Sequence, residues 1–113
     1  MDVIYLPEAD DELQALKAHA PKEALAIDTV VNKLQLMGST LRFPHCSHVQ
    51  GAGNLWELRP RSGRSPWRAF YRRIGEVLVI GAIGPEANVD RPGFRRATAR
   101  AEDRLDAYPT KED

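Results

Sequence analysis

The chain has 113 residues, no formal net charge, 42% apolar and 28% charged side chains, and one cysteine, Cys46. That length suits a single domain over residues 1–113 with a real core, and the composition argues against a disordered chain. No apolar run reaches the roughly 20 residues a bilayer requires, and Met1-Asp2-Val3-Ile4-Tyr5-Leu6-Pro7 has neither the basic start nor the long apolar stretch of a secretory leader, so a soluble cytoplasmic protein is expected. The lone cysteine has no partner for an internal disulfide or a zinc-type pair, and reads as a small buried thiol.

In chain order, residues 2–6 carry Val3, Ile4 and Tyr5 and read as a short strand stopped by Pro7. Ala9, Leu13, Leu16 and Ala20 then recur at helical spacing, with Glu8, Asp10, Asp11 and Glu12 crowding the first turns, where the helix dipole favours acids. Pro21 opens a second helix with an apolar stripe of Leu25, Val30 or Val31, Leu34 and Met37, ended by Gly38, so the two form an antiparallel hairpin. Residues 39–54 show no sustained period; Pro44, Gly51 and Gly53 mark a loop that holds His45, Cys46 and His48. Residues 55–60, 67–73 and 76–83 read as an antiparallel meander turning at 61–66 and at Gly75. Phe94, Ala97, Ala101, Leu105 and Tyr108 then give a final amphipathic helix stopped near Pro109. The expected class is α+β: an N-terminal strand and helical hairpin packed on a small antiparallel sheet, with a C-terminal helix.

The zero net charge hides a segregated distribution. Residues 55–75 hold Arg59, Arg61, Arg64, Arg68, Arg72 and Arg73 against the single acid Glu57, whereas residues 1–54 are predominantly acidic. Strand alternation places Trp56 and Leu58 on one face and Glu57, Arg59 and Arg61 on the other. In the next strand it separates Trp67, Ala69 and Tyr71, the natural core set, from Arg68, Phe70 and Arg72. Glu57, Arg59, Arg61, Arg68 and Arg72 are therefore expected to converge on one face, suited to a phosphate polyanion because the guanidinium fork pairs with phosphate oxygens. Phe70 among them is placed to stack on an unpaired base. Against this stands the ordinary use of long charged side chains to keep an exposed strand from pairing.

At these residues the chain resembles a known family. Leu55-Trp56-Glu57-Leu58-Arg59 followed by Trp67-Arg68-Ala69-Phe70-Tyr71 is similar to the LWELR…YRVFY core of the HigB-like, phage Gp49-like branch of the RelE/ParE toxin superfamily. The resemblance implies a RelE-like fold and the toxin of a type II toxin–antitoxin pair, which cleaves messenger RNA on the ribosome and is neutralised by an antitoxin, often a helix-turn-helix protein. It implies attack of the ribose 2′-OH on the adjacent phosphate, with no metal or other cofactor. By motif, Arg68 matches the phosphate-stabilising arginine and Arg59 an arginine holding the RNA backbone. Glu57 reads equally as the general base or as a partner for Arg59 or Arg68. Arg61, Arg64, Phe70, Arg72 and Arg73 complete the expected RNA-binding set.

The sequence departs from that family in places. Relatives often carry Lys-Lys or Lys-Arg after the last strand, where this chain has Ile83-Gly84-Pro85-Glu86-Ala87, and Phe94 falls where some use a catalytic tyrosine. A different acid–base set, with His48 or His45 as the imidazole, is one reading. A ParE-like poison of DNA gyrase and a degenerate member that only binds its antitoxin are the others.

Overall fold

The computed structural model describes residues 1–108. In chain order these form β1 (Asp2–Tyr5), α1 (Pro7–His19), α2 (Pro21–Met37), a 3₁₀ turn (Gly38–Thr40), β2 (Cys46–His48) and β3 (Trp56–Leu58). A second 3₁₀ turn (Pro60–Gly63), β4 (Trp67–Ile74), β5 (Val77–Pro85) and α3 (Arg91–Asp106) follow. The stop expected near Pro109 lies outside the described residues; α3 itself ends at Asp106.

The strands form one five-stranded sheet in the order β1-β5-β4-β3-β2. β1 is not a separate layer on an antiparallel sheet: it joins the sheet's edge parallel to β5, and the α+β architecture holds with a mixed sheet. β2 lies in the stretch without periodicity; Cys46 pairs opposite Leu58 and His48 opposite Trp56. β5 is buried on both sides from Leu78 to Gly84, as its run Val-Leu-Val-Ile-Gly-Ala-Ile-Gly allows, because helices cover both faces.

The α1–α2 hairpin covers one face. Its buried side chains are Ala9, Leu13 and Leu16 of α1, as the spacing predicts, and Ala24, Ile27, Val30, Val31 and Leu34 of α2. The α2 stripe corrects the expected one: Leu25 is 66% and Met37 45% exposed. One residue is about 100° of helical rotation, so taking Leu25 in place of Ala24 turns the stripe onto solvent. α3 covers the other face. It opens on an Asp90 cap, whose Oδ1 accepts from the Gly93 N–H at 3.0 Å. The close approach of α3 depends on glycine: a Cβ at Gly84 would collide with the Ala97 methyl, and one at Gly81 would lie 2.8 Å from Leu105 Cγ.

Glu12 of α1 fastens the sheet edge where β1 has ended. Its Oε1 accepts from the Ile83 N–H at 3.0 Å, and its Oε2 accepts from Arg100 Nε at 3.1 Å and Arg104 Nη2 at 3.0 Å. One carboxylate thereby satisfies a β5 edge group and ties α1 to α3 around the sheet. On the hairpin side Tyr5 Oη donates to Asp28 Oδ1 at 2.9 Å, and burial together with that carboxylate holds the phenol above its ordinary range.

Candidate functional site

Cross-strand register assigns the faces. Glu57 pairs opposite Phe70 and Ser47 opposite Glu57, so Ser47, Glu57, Arg68, Phe70 and Arg72 share the α3 side, while Trp56, Leu58, Ala69 and Tyr71 face the hairpin. The alternation read for these two strands is therefore correct within the strands. The five-residue convergence is not: β3 stops at Leu58, Pro60 opens a 3₁₀ turn, and Arg61 and Ser62 adopt left-handed φ of 55° and 56°. Parity cannot be carried through such backbone, and the arginines separate into two groups.

The first group surrounds Glu57 on the α3 side. Ser47 Oγ donates to Glu57 Oε2 at 3.0 Å, and Arg68 Nε lies 3.5 Å from Glu57 Oε1. Glu57 keeps 15% of its side chain exposed, whereas Arg68 keeps 5%. The Arg68 guanidinium is occupied: Nη1 donates to Ser65 O at 2.8 Å and Trp67 O at 3.0 Å, and Nη2 donates to Gly63 O at 3.4 Å. It thus fastens the 63–67 turn to β3. Burial lowers its pKa below arginine's ordinary value, with Glu57 and Glu86 opposing that shift and Arg59 adding to it. Arg72 is likewise engaged, with Nη1 2.6 Å from Asp106 Oδ1 and Nε donating to Asn54 O at 2.8 Å. Phe70 is 0% exposed and meets Phe94 edge to face at 5.5 Å, so it is core and presents no ring for a base to stack on.

The second group lines a groove of about 390 Å³ along α2. Lys22, Thr29 and Lys33 form one wall; His45, Arg59 and Arg61 form the other. Arg61 Nη1 donates to both Glu23 oxygens, at 2.8 and 2.7 Å, and Ser65 Oγ donates to the same carboxylate at 2.7 Å. The bonds from Arg61 and Ser65 hold Glu23 below the usual carboxylate range, against a smaller opposing effect of burial. Arg59 Nε donates to Pro44 O at 3.0 Å, and its guanidinium lies 4.8 Å from the Phe43 ring centroid. Among the described residues Lys22, Lys33 and Arg59 have no carboxylate within ion-pair distance, so the groove carries excess positive charge.

The remaining sequence candidates lie apart. Arg64 is exposed on the turn. Arg73 faces the hairpin side beside Leu78, with Nε donating to Gly75 O at 3.0 Å. His48 stands edge-on to Trp56, its Nε2 donating to Gly53 O at 2.6 Å, so His45 and not His48 is the imidazole in the groove. Tyr71 is core, and burial with Cys46 nearby pushes its phenol far above the ordinary range. Sequence reasoning missed Ser47, Lys22 and Lys33. The lysines did leave a signal: Lys22, Ala26, Thr29 and Lys33 recur at helical spacing with no acid among them.

The five-stranded sheet with a hairpin on one face and a helix on the other is similar in fold to two solved structures. It superposes on the YoeB dimer structure from Staphylococcus aureus with a TM-score of 0.57 at 11% identity, covering 73% of this chain and 92% of that one. It superposes on the YoeB/ParE toxin from Agrobacterium tumefaciens with a TM-score of 0.59 at 12% identity, covering 76% and 99%. The sequence profile of the family described as phage derived protein Gp49-like (DUF891) matches residues 11–80, and the chain belongs to that family. The matched stretch holds Glu57, Arg68 and the basic groove, and ends before α3. No curated protein matches the chain in sequence.

Proposed function

We propose that the chain is the toxin of a type II toxin–antitoxin pair, a single domain acting in the cytoplasm as a ribosome-dependent messenger RNA endonuclease and neutralised by an antitoxin partner. The observation that carries this reading is the placement of Glu57 and Arg59 at the end of β3. Two residues apart, the first is a carboxylate held by Ser47 and Arg68, and the second stands on the rim of a groove with unpaired cations. A strand of RNA laid along the groove has its phosphates held by Lys22, Lys33 and Arg59, and from Arg59 it crosses the end of β3 to bring a ribose to Glu57 on the α3 side. Glu57 then accepts the 2′-OH proton as that oxygen attacks the adjacent phosphorus, and the bond to the 5′ oxygen breaks with that oxygen taking a proton from solvent, leaving a 2′,3′-cyclic phosphate and a 5′-hydroxyl. Arg68 acts from beneath, holding the Glu57 carboxylate in place from 3.5 Å.

The test is cleavage of ribosome-bound messenger RNA with the fragment ends mapped. Wild type is expected to give cyclic-phosphate ends, and Glu57→Gln to lose about 100-fold in rate with RNA binding kept. Intact messenger RNA under conditions where a control toxin cuts it overturns the nuclease reading. One observation favours a second reading, a gyrase poison without nuclease activity: the Arg68 donors are spent on the carbonyls of Gly63, Ser65 and Trp67. Trapped gyrase–DNA cleavage complexes alongside intact messenger RNA would select it.

A further inference from the structure

On the hairpin side of the sheet an apolar concavity of about 380 Å³ opens between the C-terminal end of α2 and the strands. Leu34, Leu41, Cys46, Tyr71 and Leu78 line it. Phe43, 69% exposed, and Trp56, 38% exposed, stand in its wall. Such apolar surface next to a cleft is costly to leave in water and marks a binding surface. The charged lining residues are Arg42 and Arg73, both exposed, with no acid in the lining. Arg42 has no ion pair among the described residues, and Arg73 has only Glu76, itself 93% exposed, at 3.9 Å. The concavity is therefore apolar within and cationic at its edge.

From this we propose that the groove is the docking site for an amphipathic helix of the antitoxin, one with an apolar stripe flanked by acidic residues; the proposal rests on the toxin-pair reading above. The volume admits about two or three large side chains, the number a helix supplies from positions i, i+3 or i+4 and i+7. A helix satisfies its own backbone groups, so it can lie against apolar walls without adding to a strand edge. Acids flanking the stripe meet Arg42 and Arg73 at the rim, which fixes the helix's rotation and raises its association rate. The concavity lies on the opposite sheet face from Glu57, while its wall residue Phe43 stands 4.8 Å from the Arg59 guanidinium, so a partner seated here also bears on the cation at the end of β3.

The experiment pairs the chain with a candidate antitoxin, the product of any reading frame found adjacent to its gene, measuring growth rescue on co-expression and the dissociation constant of the purified complex. Trp56→Glu and Arg42→Glu are each expected to weaken the complex at least about ten-fold. Leu36→Glu, at a residue 87% exposed and outside the groove lining, is expected to leave it within about two-fold. Arg42 is an exposed loop residue, so Arg42→Glu carries the test if Trp56→Glu fails to fold. Rescue and tight binding that neither variant weakens overturn the docking site and leave the toxin reading standing. A neighbouring product that neither rescues nor binds overturns the toxin-pair reading, and the docking site with it. If the chain alone is a dimer that Trp56→Glu converts to monomer, the occupant is a second copy and the proposal is wrong.

Discussion

Glu23 joins α2 to the 60–65 turn by accepting from Arg61 on both oxygens and from Ser65 Oγ. Its folded pKa lies below the ordinary value, so the stability it contributes is complete above the unfolded pKa, near 4.3, and is lost as pH falls through the folded one. Arg61→Gln removes the guanidinium without altering the backbone problem, since glutamine meets the same left-handed φ of 55°. With Arg61 39% and Glu23 24% exposed, solvent screening limits the expected loss to about 0.5–1 kcal/mol at neutral pH. Urea denaturation along a pH series from neutral into acid checks this: the gap between wild type and variant should narrow as pH falls through the folded pKa of Glu23. A gap that persists in acid would mean that Arg61 acts through Lys22 O or through packing. This ion pair was not legible in the sequence. Alternation correctly placed Glu57, Arg68 and Phe70 on one face, but it took no account of α3, which turns Phe70 into core. It also ran past Leu58 into a turn whose left-handed residues, Arg61 and Ser62, are neither glycine nor asparagine and so give no warning.

The elements announced themselves where local chemistry was strong. Pro7 and Pro21 start α1 and α2, and the small-residue spacing Ala97, Ala101 with Leu105 gives α3 its buried stripe. β2 was silent, because three residues hold no alternation to read and it exists by pairing with β3. β1 was read as a strand, but its parallel seat beside β5 depends on residues some 75 positions away. The contact of α3 with the sheet was also hidden, since it depends on missing atoms: Gly84 sits where a Cβ would strike Ala97. Gly84→Val is accordingly expected to destabilise by about 2–3 kcal/mol, a fall of roughly 10 °C in Tm, by lifting α3 off β5. Gly53→Ala, with open space around the site and no left-handed φ, should remain within about 0.5 kcal/mol of wild type. Equal losses in the two variants, measured by thermal unfolding, would show that the α3 contact is not packed as described.

Across the whole molecule, positive charge is sorted by use. Arg100 and Arg104 are bound to Glu12, Arg72 to Asp106 and Arg61 to Glu23, so these arginines hold elements together. Lys22, Lys33 and Arg59 are left with a concave surface to themselves, while Arg91, Arg95 and Arg96 project from α3 without carboxylate partners among the described residues. A formal net charge of zero would give neither set a claim on RNA; the groove's claim comes from concavity, which lets several cations meet one strand. Salt dependence separates the two. For single-stranded RNA the logarithm of the association constant falls with log salt at about 0.7 per phosphate neutralised, so three groove contacts give a slope near −2. Replacing Lys22, Lys33 and Arg59 together by glutamine should flatten that slope by about 2 for a short unstructured RNA, whereas replacing Arg91, Arg95 and Arg96 should leave it nearly unchanged. If the α3 set flattens the slope and the groove set does not, RNA follows the outside of α3, Glu57 is not reached through the α2 groove, and the cleavage geometry proposed for β3 fails with it.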